Sequence, residues 1–501
     1  MGYSNRRDKG DASLPGACRR YFLVILREIA IMRSYSGLAL ILLVGFSQAC
    51  SPARSVQSTA QPVTGGSSQP AVVVASRVTS ELEELIRQPG LQSAQVGVCL
   101  YDPATSTYKV NYQGNKYFIP ASNTKLFSLY AGMKHLGDSL TGMKYMMTDT
   151  ALFIIPSGDP TFLHPSFPDQ PVIRYLQKSR GNLYIVNMGW QDKPLGRGWA
   201  WDDYNDDYMP ERSVFPVYGN LIRWVSDSTS ASFYSIPDIN WSVRFSADTT
   251  KQIFHVQRDW KNNIFEITEG KGKTREQDVP FITDGVESAA TLLKDTVGRA
   301  VTAWNKSLSM AFPPQRAGAA ARVRPVMGIV HSRPVDSMFR PMMHSSDNFF
   351  AEQTLLMTSD ALLGKMNDES VIDTLLKSDL KDLPQHPFWV DGSGLSRNDL
   401  FTPQDFVWLL DRLKNEFGIE RMKHILPTGG TGTLSSYYRQ DSGYIFAKTG
   451  SLSGVVALSG YLITKKDHLL LFSILINNYT GSGVTVRRQM EQMIHQFRDK
   501  Y

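Results

Sequence analysis

Cysteine is scarce in this chain. Three occur in 501 residues, Cys18, Cys50 and Cys99, too few and too scattered for a disulfide framework or a clustered zinc site. Blocks of like charge are also missing: a formal charge of +6 is spread thinly, with nothing denser than pairs such as Lys465-Lys466, so no footprint for nucleic acid is present. The apolar run from Gly37 to Phe46 is too short for a comfortable transmembrane span. No internal repeat is seen. What the chain does have is length, and 42% hydrophobic with 11% aromatic residues is enough to fill two or three cores rather than one.

Cys50 stands at the end of a recognisable layout. Met32-Arg33 opens a short basic region, the apolar run follows, and Ser47-Gln48-Ala49-Cys50 places small residues before the thiol. That is the layout of a bacterial lipoprotein signal, with Ser47 where such signals usually carry Leu. It predicts export, lipidation at Cys50, a membrane anchor and a start at Met32; a plain signal peptide or an uncleaved anchor has the same outline. Residues 1–50 are thus read as the signal region. Residues 51–76, rich in Ser, Gln, Pro, Thr and Gly, have little to bury and read as a flexible tether.

Order is expected from about Val78, with a helical stripe at Leu82, Leu85 and Ile86, then strands over Gln95 to Tyr101 and from Tyr108, joined by a turn at Asp102-Pro103. Pro120-Ala121-Ser122 opens a second helical stretch carrying Leu126, Leu129, Tyr130 and Met133. From about Leu140 to Ala320 the texture changes to short β-rich runs with many aromatic residues. Helical patterns return at Asn348 to Met357 and Pro403 to Phe417. Ala447 to Gly450, Val455 to Thr464 and His468 to Asn477 then read as an antiparallel meander, followed by a last helix from Val486 to Phe497. The division expected is 77–140 with 321–501 as one domain and 141–320 as inserted β-rich material. Cys99, inside a strand-like run, is expected to be buried and inert.

Three short elements carry chemistry. A hydroxyl is a poor nucleophile until a base takes its proton, and a lysine one helical turn later serves if its ammonium is desolvated or set beside another cation. Ser122 and Lys125 have that i, i+3 relation. Alone it means little, because Ser378-Asp379-Leu380-Lys381 has the same form and a solvated helix start is the ordinary explanation. Ser346-Asp347-Asn348 adds a hydroxyl able to pass a proton and a carboxamide able to bond peptide backbone, although Ser396-Arg397-Asn398 copies it and a helix cap explains either. Lys448-Thr449-Gly450 is the one match to its pattern. On a strand, Lys448 supplies positive potential, Thr449 a hydroxyl for a carboxylate, and Gly450 room for substrate backbone. The N–H groups of Ser122 and Ser451 are then expected to converge on an oxyanion. The three elements in this order, the first opening a helix and the last on a strand, outweigh the bland reading of each.

In that order the elements resemble those of the penicillin-binding protein and serine β-lactamase superfamily. The wider wording is similar to its DacB-type D-Ala-D-Ala carboxypeptidase/endopeptidase branch: Pro120 to Lys125, Ser157-Gly158-Asp159-Pro160, Gly198-Trp199-Ala200-Trp201-Asp202-Asp203, Ser346 to Glu352, Asp391-Gly392-Ser393-Gly394-Leu395-Ser396 and Ala447 to Leu452. The resemblance runs from about Val78 to the C-terminus. It implies an α+β fold, with a transpeptidase-like domain made of an antiparallel sheet, flanking helices and an all-helical part, interrupted by inserted domains. It implies catalytic roles for Ser122, Lys125, Ser346, Asn348 and Lys448, and substrate contacts at Thr449, Gly450 and Ser451. Asp202 and Asp203 match an acidic pair that meets the ammonium of diaminopimelate, with a plain acidic surface loop as the alternative and a calcium site as a lesser one, since the spacing fits no standard loop. The implied partners are peptidoglycan stem peptides and, as covalent inhibitors, β-lactams, in the periplasm; no metal and no cofactor is implied.

Two other functions share the fold. A β-lactamase needs a positioned base for deacylation, and no Glu-x-x-Leu-Asn-type segment lies between Ser346 and Lys448. A non-catalytic wall-binding lipoprotein needs none of the polar groups that are all in place.

Overall fold

The computed structural model describes residues 79–227, 232–246, 253–270, 275–312 and 326–501. The signal region, Cys50 and the tether lie outside them. No helix among the described residues is long and apolar enough to cross a membrane.

The fold is α+β. Strands β1 (Gln95–Asp102) and β2 (Thr107–Tyr112) form the expected hairpin, and β14 (Ile445–Leu452), β15 (Val455–Ile463) and β16 (Leu469–Asn477) the expected meander. They join into one antiparallel sheet in the order β14-β15-β16-β1-β2, which leaves β14 as an edge. β15 and β16 are buried almost end to end. Both faces of the sheet are therefore covered, and the pleat sorts the residues. Ala457 and Tyr461 enter the core shared with the helical part, while Val456, Leu458 and Leu462 enter a second core beneath α1 (Ser80–Ile86) and α11 (Gly483–Lys500).

On the first face, α2 (Lys125–His135) shares a core with the sheet through Leu126, Phe127 and Tyr130. The described insertion adds helices α3 (Pro171–Lys178), α4 (Glu287–Val297) and α5 (Leu308–Ala311), and the chain then returns through α6 (Asp336–His344), α7 (Asn348–Leu363), α8 (Asp368–Lys377), α9 (Pro403–Phe417) and α10 (Ile419–Ile425). α2 is buried from Lys125 to Met133, and α7 from Phe349 to Ser359. Neither keeps an amphipathic stripe there, as befits helices surrounded by protein. Asp347 caps α7 by accepting from Phe350 N at 2.9 Å, so the Ser-Asp-Asn element opens this central helix.

The inserted part contains a mixed sheet of β3 (Ser139–Met147), β4 (Ala151–Ile155), β5 (Asn182–Val186), β12 (Val301–Trp304) and β13 (Val326–Pro334), ordered β12-β5-β4-β3-β13. Its core takes Val172 and Leu176 of α3 and Leu292 and Leu293 of α4. Two three-stranded sheets complete it: β11-β6-β7, from β6 (Leu221–Asp227), β7 (Ser232–Ile236) and β11 (Glu276–Pro280), and β8-β10-β9, from β8 (Ser242–Phe245), β9 (His255–Arg258) and β10 (Ile264–Thr268). Because β13 pairs with β3, the limits of the insertion fall at Ser139 and Pro334, somewhat outside the 141 and 320 suggested by composition. Ladder partners, not residue texture, decide which body a strand joins.

The long connection between β5 and β6 runs back to the helical part. Met366 N donates to Gly189 O at 2.7 Å and Ser213 N to Gln353 Oε1 at 3.2 Å. This return brings the tryptophan-rich segment alongside α7.

Candidate active site

Ser122 sits in a single 3-10 turn, Ala121–Thr124, that leads straight into α2 at Lys125. The turn is tight and held from outside. Ala121 carries φ 47°, a conformation alanine rarely adopts, and is fully buried. Asn123 Nδ2 donates to Ser459 Oγ on β15 at 2.8 Å, and Ser459 Oγ lies 2.9 Å from Ser473 Oγ on β16. Two glycines make the close packing possible. A Cβ on Gly450 would stand 2.5 Å from Pro120 O and 3.2 Å from Asn123 N, so the space it leaves is filled by the Ser122 turn, where the sequence suggested substrate backbone. A Cβ on Gly394, already at φ 76°, would stand 1.9 Å from Ala121 O. Gly394→Ala is therefore expected to displace the Ser122 turn and slow acylation by a fluorescent penicillin by about 100-fold, the usual consequence of a misplacement near 1 Å. Stopped-flow labelling of the folded variant measures it.

Lys125 is fully buried, and its Nζ has three neighbours: Ser122 Oγ at 2.9 Å, Asn348 Oδ1 at 2.6 Å and Ser393 O at 2.8 Å. Two of these are carbonyl oxygens that only accept. An amine that has lost one proton still donates to both, and its lone pair is left facing Ser122, whose hydroxyl is the one neighbour able to donate. Burial lowers the Lys125 pKa to about 8, against the opposing pull of Asp391, Asp347, Glu352 and Asp399. The neutral base is thus within reach of ordinary pH.

Ser346 is held at φ 60°, again left-handed, and accepts from Lys448 Nζ at 2.8 Å; the same ammonium also donates to Thr449 O at 2.8 Å. Lys448 is buried, and burial together with the charge of Lys125 holds its pKa well below the usual lysine range. Its proton is loosely held. Asn348 bonds on both sides, accepting from Lys125 and donating through Nδ2 to Tyr208 O at 2.9 Å. Ser122, Lys125, Ser346, Asn348 and Lys448 therefore meet in one constellation, although they come from four separate elements.

The pleat of β14 sorts its residues onto two faces. Lys448 and Gly450 lie opposite Ser459 and Ala457, on the face toward Ser346, whereas Thr449 and Ser451 lie opposite Leu458 and Val456, on the face toward α11. A cavity of ≈ 350 Å³ wraps this edge, lined by Ser122 and Ser346 on one side and by Thr449 and Ser451 on the other.

A layer of buried charge that the sequence reading did not assign supports the constellation. Ser393, whose carbonyl receives Lys125, has its N–H fixed by Glu352 Oε1 at 2.8 Å. Glu352 in turn shares Arg212 with Asp192 and Asp368, at 3.3, 2.9 and 2.5 Å respectively. Arg212 is 1% exposed, so these charges depend on one another in a medium where an unpaired ion is costly. Burial, with Asp391 nearby, raises the Glu352 pKa, and Arg212 opposes that. Asp391 holds the same loop by accepting from Gly394 N and Ser396 N, each at 2.7 Å, and from Trp199 Nε1 at 2.9 Å. Arg212 and Trp199 both come from the connection between β5 and β6. The inserted part thus supports the loop that receives Lys125. Nothing in the local spacing of Arg212 or Glu352 announces this.

Asp202 and Asp203 occupy a separate 3-10 turn, Trp201–Asp203, the first exposed and the second half-buried. Neither lines the Ser122 cavity. Their segment reaches the constellation through the Tyr208 carbonyl, and beside it Asp206, Asp207, Asp278 and Arg223 line a hollow of ≈ 330 Å³. Cys99 is buried, with its thiol 3.4 Å from Asn111 Oδ1, and burial pushes its pKa up.

The model of the D-Ala-D-Ala carboxypeptidase 3 (S13) family matches residues 78–500. D-alanyl-D-alanine carboxypeptidase DacB of Haemophilus influenzae is 22% identical over 427 residues, spanning 78% of this chain and 87% of that protein. D-alanyl-D-alanine carboxypeptidase of an Actinomadura species is 24% identical over 473 residues, or 84% and 85% of the two chains. The crystal structure of penicillin-binding protein 4 from H. influenzae matches with a TM-score of 0.64 at 18% identity, covering 84% of this chain and 98% of that one, a likeness of fold.

Proposed function

Since the chain belongs to the D-Ala-D-Ala carboxypeptidase 3 (S13) family, we propose that Ser122 is the residue its substrates acylate and that Lys125 is the base. The protein is a serine hydrolase of D-Ala-D-Ala peptides, a carboxypeptidase/endopeptidase whose substrates are peptidoglycan peptides and whose inhibitors are β-lactams. The observation that carries the assignment of roles is the set of three neighbours around Lys125 Nζ, which leaves its lone pair nowhere to point but Ser122.

Neutral Lys125 takes the Ser122 proton as Oγ attacks the carbonyl of the penultimate D-Ala. The oxyanion is received by the N–H groups of Ser122 and Ser451. Ser346, replenished by Lys448 2.8 Å away, hands a proton to the nitrogen of the departing residue as the C–N bond breaks. Water then hydrolyses the ester by the same relay in reverse. Thr449 and Ser451 bind the departing residue, and Asn348 keeps Lys125 in register while its Nδ2 donates to Tyr208 O. Asp202 and Asp203, in the segment whose Tyr208 carbonyl meets Asn348, are the carboxylates suited to a diaminopimelate ammonium.

Incubation with a fluorescent penicillin is expected to give one covalent adduct per chain that outlasts removal of free drug, while digestion of defined muropeptides releases D-Ala and opens D-Ala-diaminopimelate cross-links. A folded protein that takes no label overturns the assignment, and rapid turnover of the drug points to a β-lactamase instead.

Cys50 is read as the lipid-bearing first residue of a periplasmic form. Support comes from the Met32-Arg33, Gly37 to Phe46 and Ser47-Gln48-Ala49-Cys50 layout. Mass spectrometry of the mature N-terminus tests this, with an unmodified end at any other residue as the contrary result.

A further inference from the structure

The cavity at the edge of β14 contains more than the nucleophile's surroundings. Beyond Ser122, Ser346, Thr449 and Ser451 it continues along the α11 face of the strand, past Leu434, Val456, Leu458 and Met490. Its volume of ≈ 350 Å³ is more than one alanine residue fills. Among the described residues lining it, Arg487 is the one charged side chain.

Arg487 is placed unlike its neighbour. Arg488 is neutralised by Glu491 at 2.6 Å and lies over the Tyr437 ring at 4.5 Å. Arg487 has no carboxylate partner among the described residues; its Nη2 donates to Ser451 Oγ at 2.8 Å, which leaves most of its five donors unused. It also stands in the second turn of α11, near the end of a helix that favours anions, not cations. An uncompensated guanidinium there raises the local positive potential over the cavity. A further polar group waits on the same wall: Thr433 Oγ1 is buried and has no hydrogen-bond partner.

We propose that Arg487, beside Thr449 and Ser451, recognises the α-carboxylate of the residue that leaves in both the trimming and the cross-link-cutting reactions. The inference rests on Ser122 being the nucleophile. Acyl transfer forms the Ser122 Oγ–carbonyl bond, breaks the C–N bond and gives a proton to the nitrogen. Whether the departing residue is D-Ala or the D-centre of diaminopimelate, the carbon bearing that nitrogen also bears a free carboxylate. A planar guanidinium fixed by the Ser451 hydroxyl meets that group with two N–H donors. The apolar wall beyond suits the aliphatic chain that diaminopimelate has and alanine lacks.

The test compares wild type, Arg487→Gln and Arg487→Lys on diacetyl-L-Lys-D-Ala-D-Ala and on the same peptide with a C-terminal amide, reading kcat/KM for release of the last residue. Wild type is expected to prefer the free acid. In Arg487→Gln that preference falls by about 10–100-fold, as for the loss of a charged hydrogen bond, and Arg487→Lys restores part of it. An Arg487→Gln protein that keeps the wild-type preference, or loses both activities in equal proportion while Arg487→Lys does the same, overturns the inference and leaves the nucleophile untouched. A wild type that releases neither product overturns the reading of the site and the inference with it.

Discussion

Ser122→Ala protein takes up no fluorescent penicillin and releases D-Ala at least about 10⁴-fold more slowly than wild type, the scale on which removal of a serine nucleophile is felt when the rest of the site survives. The fold is expected to survive, because Ser122 is the partly exposed member of its turn, while Ala121, Asn123 and Thr124 are the buried ones that hold it. Melting of the variant near the wild-type temperature, together with absent labelling, is the expected pair of results. Labelling that persists in the variant removes Ser122 from the mechanism and turns attention to Ser346, the other hydroxyl on the cavity's inner side.

Acylation of the wild type accelerates as pH rises and levels off above about 8. Below that value Lys125 carries a proton it must lose before it can take one from Ser122, so the rate is expected to change tenfold per unit on the acid side. The sign follows from the cause. Burial disfavours the ammonium and brings its pKa down from 10.5, and without burial the same limb would extend to more alkaline pH. Lys125→Met removes the base and is expected to cost about 10³-fold or more in acylation, within the range of general-base catalysis combined with lost orientation, and to abolish the limb. A pH profile of second-order labelling rates measures both. A limb that survives in Lys125→Met belongs to another group, of which Lys448 is the nearest in character.

The chain also explains why its decoys are decoys. Ser378 and Lys381 share the spacing of Ser122 and Lys125, but Ser378 follows α8, is exposed, and donates to Thr374 O. Ser396-Arg397-Asn398 repeats the form of Ser346 to Asn348 inside a loop whose Ser396 N–H is taken by Asp391. Spacing reports which residues share a helix face; burial is what brings the Lys125 pKa down, and burial is a property of the whole fold. Strands and helices near the catalytic words were legible because their apolar periods are long and regular, as in Pro403 to Phe417, which forms a helix with those bounds. The support beneath the site was not legible. Arg212 meets Glu352, and Ser393 offers Lys125 a backbone carbonyl, which every residue possesses and no sequence can mark. Arg487 escaped for a related reason: it became relevant only when the pleat of β14 turned Ser451 toward α11.

The first sheet has one more consequence. Gln95 on β1 pairs with Asn477 on β16, and β14, which carries Lys448, is joined to β1 only through β15 and β16. A chain emerging in order from its N-terminus presents Ser122 and Lys125 early, yet the carbonyl, amide and strand that make them reactive arrive hundreds of residues later. The strands of the insertion bounded by β3 and β13 pair among themselves and do not depend on the last strands in this way, although their main core also takes Leu356 and Met366 of the helical part. Reactivity toward a β-lactam is then expected only of a chain in which β14 has joined this sheet, so uptake of the drug reports that the site has been assembled.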